Sequence, residues 1–195
     1  MRFNFLLFED FEALDLFGPL EVLSQTEGFE PFFLSVTGGL IISRQGAKIA
    51  TEPLTSFVPN EVLIVPGGQG TRKLVNDFQF LGFLRELAEK SSWVLTVSTG
   101  AALLAKTGLL DGLAATSNKR AWPFALLSGP KVNWKKNARW TVAGKYYASS
   151  GISAGIDMTL GFVADRFNYP EAQKIAIVLE YLWREDRDND PFAVS

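Results

Sequence analysis

Trp93-Val94-Leu95-Thr96-Val97-Ser98-Thr99-Gly100-Ala101-Ala102-Leu103-Leu104-Ala105-Lys106 decides the fold. The first five residues are apolar or β-branched, the pattern of a strand buried on both faces. A serine and a threonine follow, and then small and apolar residues suited to a helix, starting at Gly100. A strand that turns directly into a helix is the βα half of a parallel-sheet unit. The turn between them presents Ser98 at a helix N-terminus, where free N–H groups and the helix dipole favour negative charge. The geometry resembles a nucleophile elbow; the plainer alternative is that Ser98 or Thr99 is a helix N-cap.

Outward from this stretch the same alternation recurs. Strands are expected at Phe3 to Leu7, Phe32 to Val36 and Val62 to Val65, the last stopped by Pro66-Gly67-Gly68. Helices are expected from about Phe11 to Gln25, from Phe78 to Lys90, from Ile152 to Phe167 and from Pro170 to Trp183. A hairpin is expected from Leu40–Ser43 with Ala47–Thr51, and a strand-rich stretch from Arg139 to Ala148 turning at Gly144. No repeat or linker interrupts the 195 residues. One domain spanning residues 1–195 is expected, a three-layer α/β sandwich with a mostly parallel sheet and helices on both faces.

Composition narrows the chemistry. The net charge of −2 is small and of the wrong sign for a general nucleic-acid binder. No apolar run reaches the about 18 residues of a membrane span, and the short apolar N-terminus does not read as a secretion signal, so a cytoplasmic location is expected. The chain contains no Cys and no His. That excludes disulfides, thiolate nucleophiles, Cys/His zinc sites and a Ser-His-Asp triad. The acidic run Glu185-Asp186-Arg187-Asp188-Asn189-Asp190 lacks the glycine and closing Glu of a calcium loop and reads as a polar loop. No metal and no cofactor are expected.

Open parallel sheets bind ligands beyond the carboxyl ends of their strands, and two motifs fall there. Val65-Pro66-Gly67-Gly68-Gln69-Gly70-Thr71 can turn sharply and offer N–H groups to a developing negative charge; it is equally an ordinary glycine loop. Val97-Ser98-Thr99-Gly100 is the elbow. A third motif, Asp15-Leu16-Phe17-Gly18-Pro19-Leu20-Glu21-Val22, sets carboxylates among apolar residues, where burial raises a carboxyl pKa, although acids also suit the start of a helix.

Together, in this order and spacing, these motifs resemble the DJ-1/PfpI (ThiJ) superfamily, of the class I glutamine amidotransferase-like type, and within it the isonitrile hydratase-like branch. Leu109-Leu110-Asp111-Gly112 with Ala115-Thr116-Ser117-Asn118-Lys119, Ser149-Ser150-Gly151-Ile152-Ser153-Ala154-Gly155-Ile156-Asp157 and the short Asp190-Pro191-Phe192 extend the resemblance over nearly the whole chain. It implies a flavodoxin-like fold, a homodimer, a small-molecule substrate or ligand, and catalytic positions at Ser98 and Asp15. Gly67, Gly68, Thr99, Gly100 and Asn118 would line the pocket or its oxyanion site.

Two residues depart from the family pattern. Ser98 stands where relatives have cysteine, and Asn118 where many have histidine. Two origins fit that serine equally: a naturally serine-bearing chain, or one in which cysteine was replaced. In isonitrile hydratases the thiolate would attack the isonitrile carbon, and water would release an N-substituted formamide. A serine hydroxyl needs a matched base for such work. Asp15 is a poor one, and Lys119 is a candidate only if its side chain turns toward Ser98. The Ser98–Asp15 pair is therefore expected as a hydrogen bond, hydroxyl to carboxylate. The resemblance thus implies a weakened or inactive isonitrile hydratase, or a related lyase or hydrolase. A non-catalytic small-molecule-binding pseudoenzyme and a regulatory domain are the alternatives.

Overall fold

A computed structural model describes residues 1–59 and 61–193. Eight strands form the central sheet: β1 (Arg2–Leu6), β2 (Glu30–Ser35), β3 (Thr37–Ile42), β4 (Lys48–Pro53), β5 (Val62–Val65), β6 (Trp93–Thr96), β9 (Trp140–Ala143) and β10 (Tyr146–Ser149). The short strands β7 (Ala114–Ala115) and β8 (Asn133–Trp134) pair separately. The order across the sheet is β3-β4-β2-β1-β5-β6-β10-β9. All neighbours are parallel except the two edges, where β3 runs against β4 and β9 against β10. The central strands are apolar because both faces are covered: Val62, Leu63, Ile64 and Val65 are wholly buried.

Among the described residues seven α-helices cover the sheet: α1 (Ala13–Ser24), α2 (Thr71–Leu74), α3 (Phe78–Lys90), α4 (Gly100–Lys106), α5 (Trp122–Ser128), α6 (Ala154–Arg166) and α7 (Tyr169–Val178). Helices α1 and α7 pack on α6, while α2, α3 and α5 gather around α4. This is the α/β sandwich expected from the alternation. Helix α1 reaches α6 closely because Gly18 has no Cβ; one there would sit 2.8 Å from Ile156 Cγ1.

Two expectations need correction at the chain's end. The last helix stops at Val178 rather than continuing to Trp183. Glu180 turns left-handed at φ 49°, and the Tyr181 N–H bonds Ala176 O at 2.9 Å while the Glu180 N–H bonds Ile177 O at 3.0 Å. That is a Schellman stop made without the glycine that usually signals one. The acidic run after it is irregular, as read, yet its last member Asp190 is only 3% exposed rather than solvated.

Register places the site. Val65 pairs with Thr96 and Ala148 also pairs with Thr96. The segments after β5, β6 and β10 therefore leave the sheet side by side. Strand β1 is flanked by β2 on one side and β5 on the other. The chain's direction of travel reverses there, and the loops after β1 and β5 open a crevice between them. Phe11 and Gly68 bridge its mouth.

Candidate functional site

Ser98 is a true elbow. Its φ is 57°, in the left-handed region that costs a non-glycine residue about 1–2 kcal/mol. Bonds on both sides hold it there: its N–H donates to Ser150 O at 3.1 Å, and the Ser117 hydroxyl donates to its carbonyl at 2.8 Å. Gly100 lets α4 begin hard against β5, since a Cβ there would lie 2.4 Å from Val65 O. Ile152, also left-handed at φ 39°, faces the same cavity. Two of the four left-handed non-glycine residues among the described residues thus line one site, where strain tends to gather.

That cavity, about 390 Å³, is bounded by Gly68, Ser98, Thr99, Asn118 and Ile152, with Glu12, Arg44, Arg72 and Arg120 contributing charge. The size suits a small molecule. Asn118 is held in one sense. Its Oδ1 accepts the Arg120 N–H at 2.9 Å, so its Nδ2 must face Ser98, donating to Oγ at 3.2 Å. Gly151 makes room for this, because a Cβ there would come within 2.8 Å of Nδ2.

The expected Ser98–Asp15 hydrogen bond is not made. Asp15 is fully buried; its Oδ2 accepts the Gly67 N–H at 2.9 Å and its Oδ1 has no partner. Burial raises its pKa well above the ordinary carboxylate value, the Gly67 bond opposes this, and nearby Glu12 adds to the rise. The glycine loop is likewise occupied from within: the Gly68 N–H donates to Thr99 Oγ1 at 3.1 Å. Both N–H groups proposed for a developing negative charge meet protein oxygens instead.

Lys119 does not turn toward Ser98 either. Its Nζ donates to Thr116 Oγ1 at 2.7 Å and Ala138 O at 2.9 Å, and lies 3.5 Å from Asp190 Oδ2. Burial lowers its pKa to about 8, against the pull of Asp190. Arg139 pairs with Asp157 at 2.8 Å and Asp190 at 3.5 Å, and Asp190 also takes the Ser150 hydroxyl. Two cations and two carboxylates thus close a balanced buried cluster behind the cavity. It ties the chain's end to the segment after β10.

Sequence reasoning missed Glu12, Arg44, Arg72 and Arg120, which come from four separate segments with no shared spacing. It also missed the weight carried by Asp190, for which the brief Asp190-Pro191-Phe192 match was the signal. Arg72 is the most constrained of these. Its Cζ lies 3.6 Å from the centroid of the Phe124 ring and its Nη1 is buried with no hydrogen-bond partner. Burial pulls its pKa down from the usual guanidinium value.

The DJ-1/PfpI family model matches residues 1–165. The chain is 30% identical over 184 residues to isonitrile hydratase from Pseudomonas putida, covering 93% of this chain and 78% of that protein. It is 27% identical to the HTH-type transcriptional regulator GbdR of Pseudomonas aeruginosa across 82% of this chain, which spans 45% of the regulator. Among solved structures, a ThiJ/PfpI family protein from Pseudomonas syringae superposes with a TM-score of 0.81 at 24% identity, covering 98% of this chain and 76% of that one. With the left-handed elbow after β6, the glycine loop after β5 and the buried carboxyl of α1 all in place, this chain belongs to the DJ-1/PfpI family.

Proposed function

We propose that the chain binds a small molecule in the elbow cavity without turning it over, the family's nucleophilic chemistry having gone with the sulfur. One observation carries this: among the described residues, the only side chain hydrogen-bonded to Ser98 Oγ is the Asn118 amide, a donor that cannot take its proton. Asp15 is engaged by Gly67, Lys119 by the buried cluster, and no histidine exists to serve as base. The likeness to part of a transcriptional regulator favours a binding role over turnover.

The second reading is a disabled isonitrile hydratase, which the 30% identical relative supports. One experiment separates them: following loss of a simple alkyl isonitrile and appearance of its formamide with the native protein, Ser98→Cys and Ser98→Ala. Binding without turnover requires that native protein and Ser98→Ala both stay at the uncatalysed rate. Turnover by the native protein that Ser98→Ala abolishes would overturn it. Turnover appearing only in Ser98→Cys supports the second reading of the scaffold. The family's homodimer is proposed here as well; Leu14 and Phe17 on α1 leave apolar surface exposed. A monomer mass in light scattering would contradict it.

A further inference from the structure

We propose that the elbow cavity is built for an anion, its ligand being a small organic molecule whose carboxylate or phosphate group is held by Arg44, Arg72 and Arg120. This deepens the binding function proposed above and rests on it. In a chain of net charge −2, three guanidinium groups from three separate segments converge on one cavity. Among the described residues the only carboxylate lining it, Glu12, accepts from Gln45 Nε2 at 2.6 Å. None of the three arginines forms an ion pair among the described residues. The buried cluster behind the cavity is the contrast: there Lys119 and Arg139 are matched by Asp157 and Asp190. Charge is balanced where it is structural and left unbalanced where the space is open.

Arg72 carries the argument furthest. Its guanidinium carbon lies 3.6 Å from the centroid of the Phe124 ring, a cation–π contact that holds the group at the cavity wall. A buried charged donor without an acceptor is costly, and Nη1 is such a donor. Guanidinium groups make short, paired bonds to carboxylate and phosphate oxygens, and the three that line the cavity offer such bonds to an anion bound there. Asn118 Nδ2 and the Ser98 hydroxyl, at the cavity floor, would meet the polar part of the same molecule.

Calorimetric titration of the purified protein with benzoate, phenyl phosphate, inorganic phosphate and the neutral isostere benzamide tests this. Benzoate or phenyl phosphate should bind about tenfold or more tighter than benzamide. Arg72→Gln and Arg120→Gln should each weaken the anion by about tenfold or more, while Lys73→Gln, on the exposed side of α2, should not. Arg120 is exposed and its side chain makes no hydrogen bond among the described residues, so that variant remains decisive if Arg72→Gln fails to fold. Preference for phenyl phosphate assigns a phosphate headgroup, and preference for benzoate a carboxylate. Benzamide binding as tightly as benzoate overturns the anion proposal while leaving the binding function standing. Inorganic phosphate matching the organic anions, or anion affinity untouched in both arginine variants, also overturns it. Failure of every anion to bind at millimolar concentration overturns it too, and if benzamide also fails, the binding function loses its support.

Discussion

The Asn118 amide donates to the Ser98 hydroxyl at 3.2 Å, and its orientation is fixed from the far side by the Arg120 backbone. A nucleophile needs a group that accepts its proton; this hydroxyl has one that gives. The elbow is kept in shape, strained φ included.

The Asn118–Ser98 bond depends on space at Gly151. Gly151→Ala should therefore reproduce the binding defect of Asn118→Ala, a loss of about 3- to 10-fold in ligand affinity, the worth of one hydrogen bond. The double variant should be no worse than either single one, because both remove the same contact. Titration of the three variants with the tightest-binding anion checks it; full additivity would mean that the two residues act separately.

Asp15 makes stability depend on pH. Its folded-state pKa is raised, chiefly by burial. Between the ordinary carboxylate value and that raised value the folded state holds the extra proton, so stability falls as pH rises through the window. Asp15→Asn cannot ionise. Its melting temperature should lie near the native protein's at acid pH and exceed it increasingly toward alkaline pH. Parallel melting curves across the range would contradict the assignment.

Asp190 neutralises Lys119 and Arg139 where both are buried. Asp190→Ala strands Lys119, leaves Arg139 with Asp157 alone, and should cost about 3–5 kcal/mol in chemical denaturation. Adding Lys119→Met should recover part of the loss, since the stranded charge is then gone. No recovery would show that the cluster does not act through charge pairing.

Gly100 lies where α4 meets the end of β5. A methyl group 2.4 Å from Val65 O cannot be accommodated without backbone movement, so Gly100→Ala should destabilise by about 1–3 kcal/mol. It should also weaken ligand binding, because the shift displaces Ser98 directly. A variant of native stability would mean that the helix start is looser than its packing suggests.

Much of this was legible in the residues. Short apolar runs such as Val62–Val65, stopped by Pro66-Gly67-Gly68, and Trp93–Val97, stopped by Ser98, mark buried parallel strands because period and length are local properties. Their register follows from burial, and it brings the loops after β5 and β6 together. The left-handed stop at Glu180 was not legible, since no glycine announces it and the bonds from Tyr181 and Glu180 hold it instead. Side-chain direction was not legible either. Asp15 and Lys119 were each candidate partners for Ser98 by position, and each is bonded to other groups instead, Asp15 to the Gly67 N–H and Lys119 to Thr116 and Ala138.

The sequence by itself determined the layered α/β architecture, the elbow at Ser98 and the exclusion of thiolate and imidazole chemistry, because these follow from local pattern and from residue types that are simply absent. Tertiary structure alone decided which groups surround Ser98. Hydrogen-bond partners and charge balance arise between segments far apart along the chain, as between Asp15 and Gly67 or between Lys119 and Asp190, and no spacing rule connects Arg44, Arg72 and Arg120, which line one cavity from three separate segments.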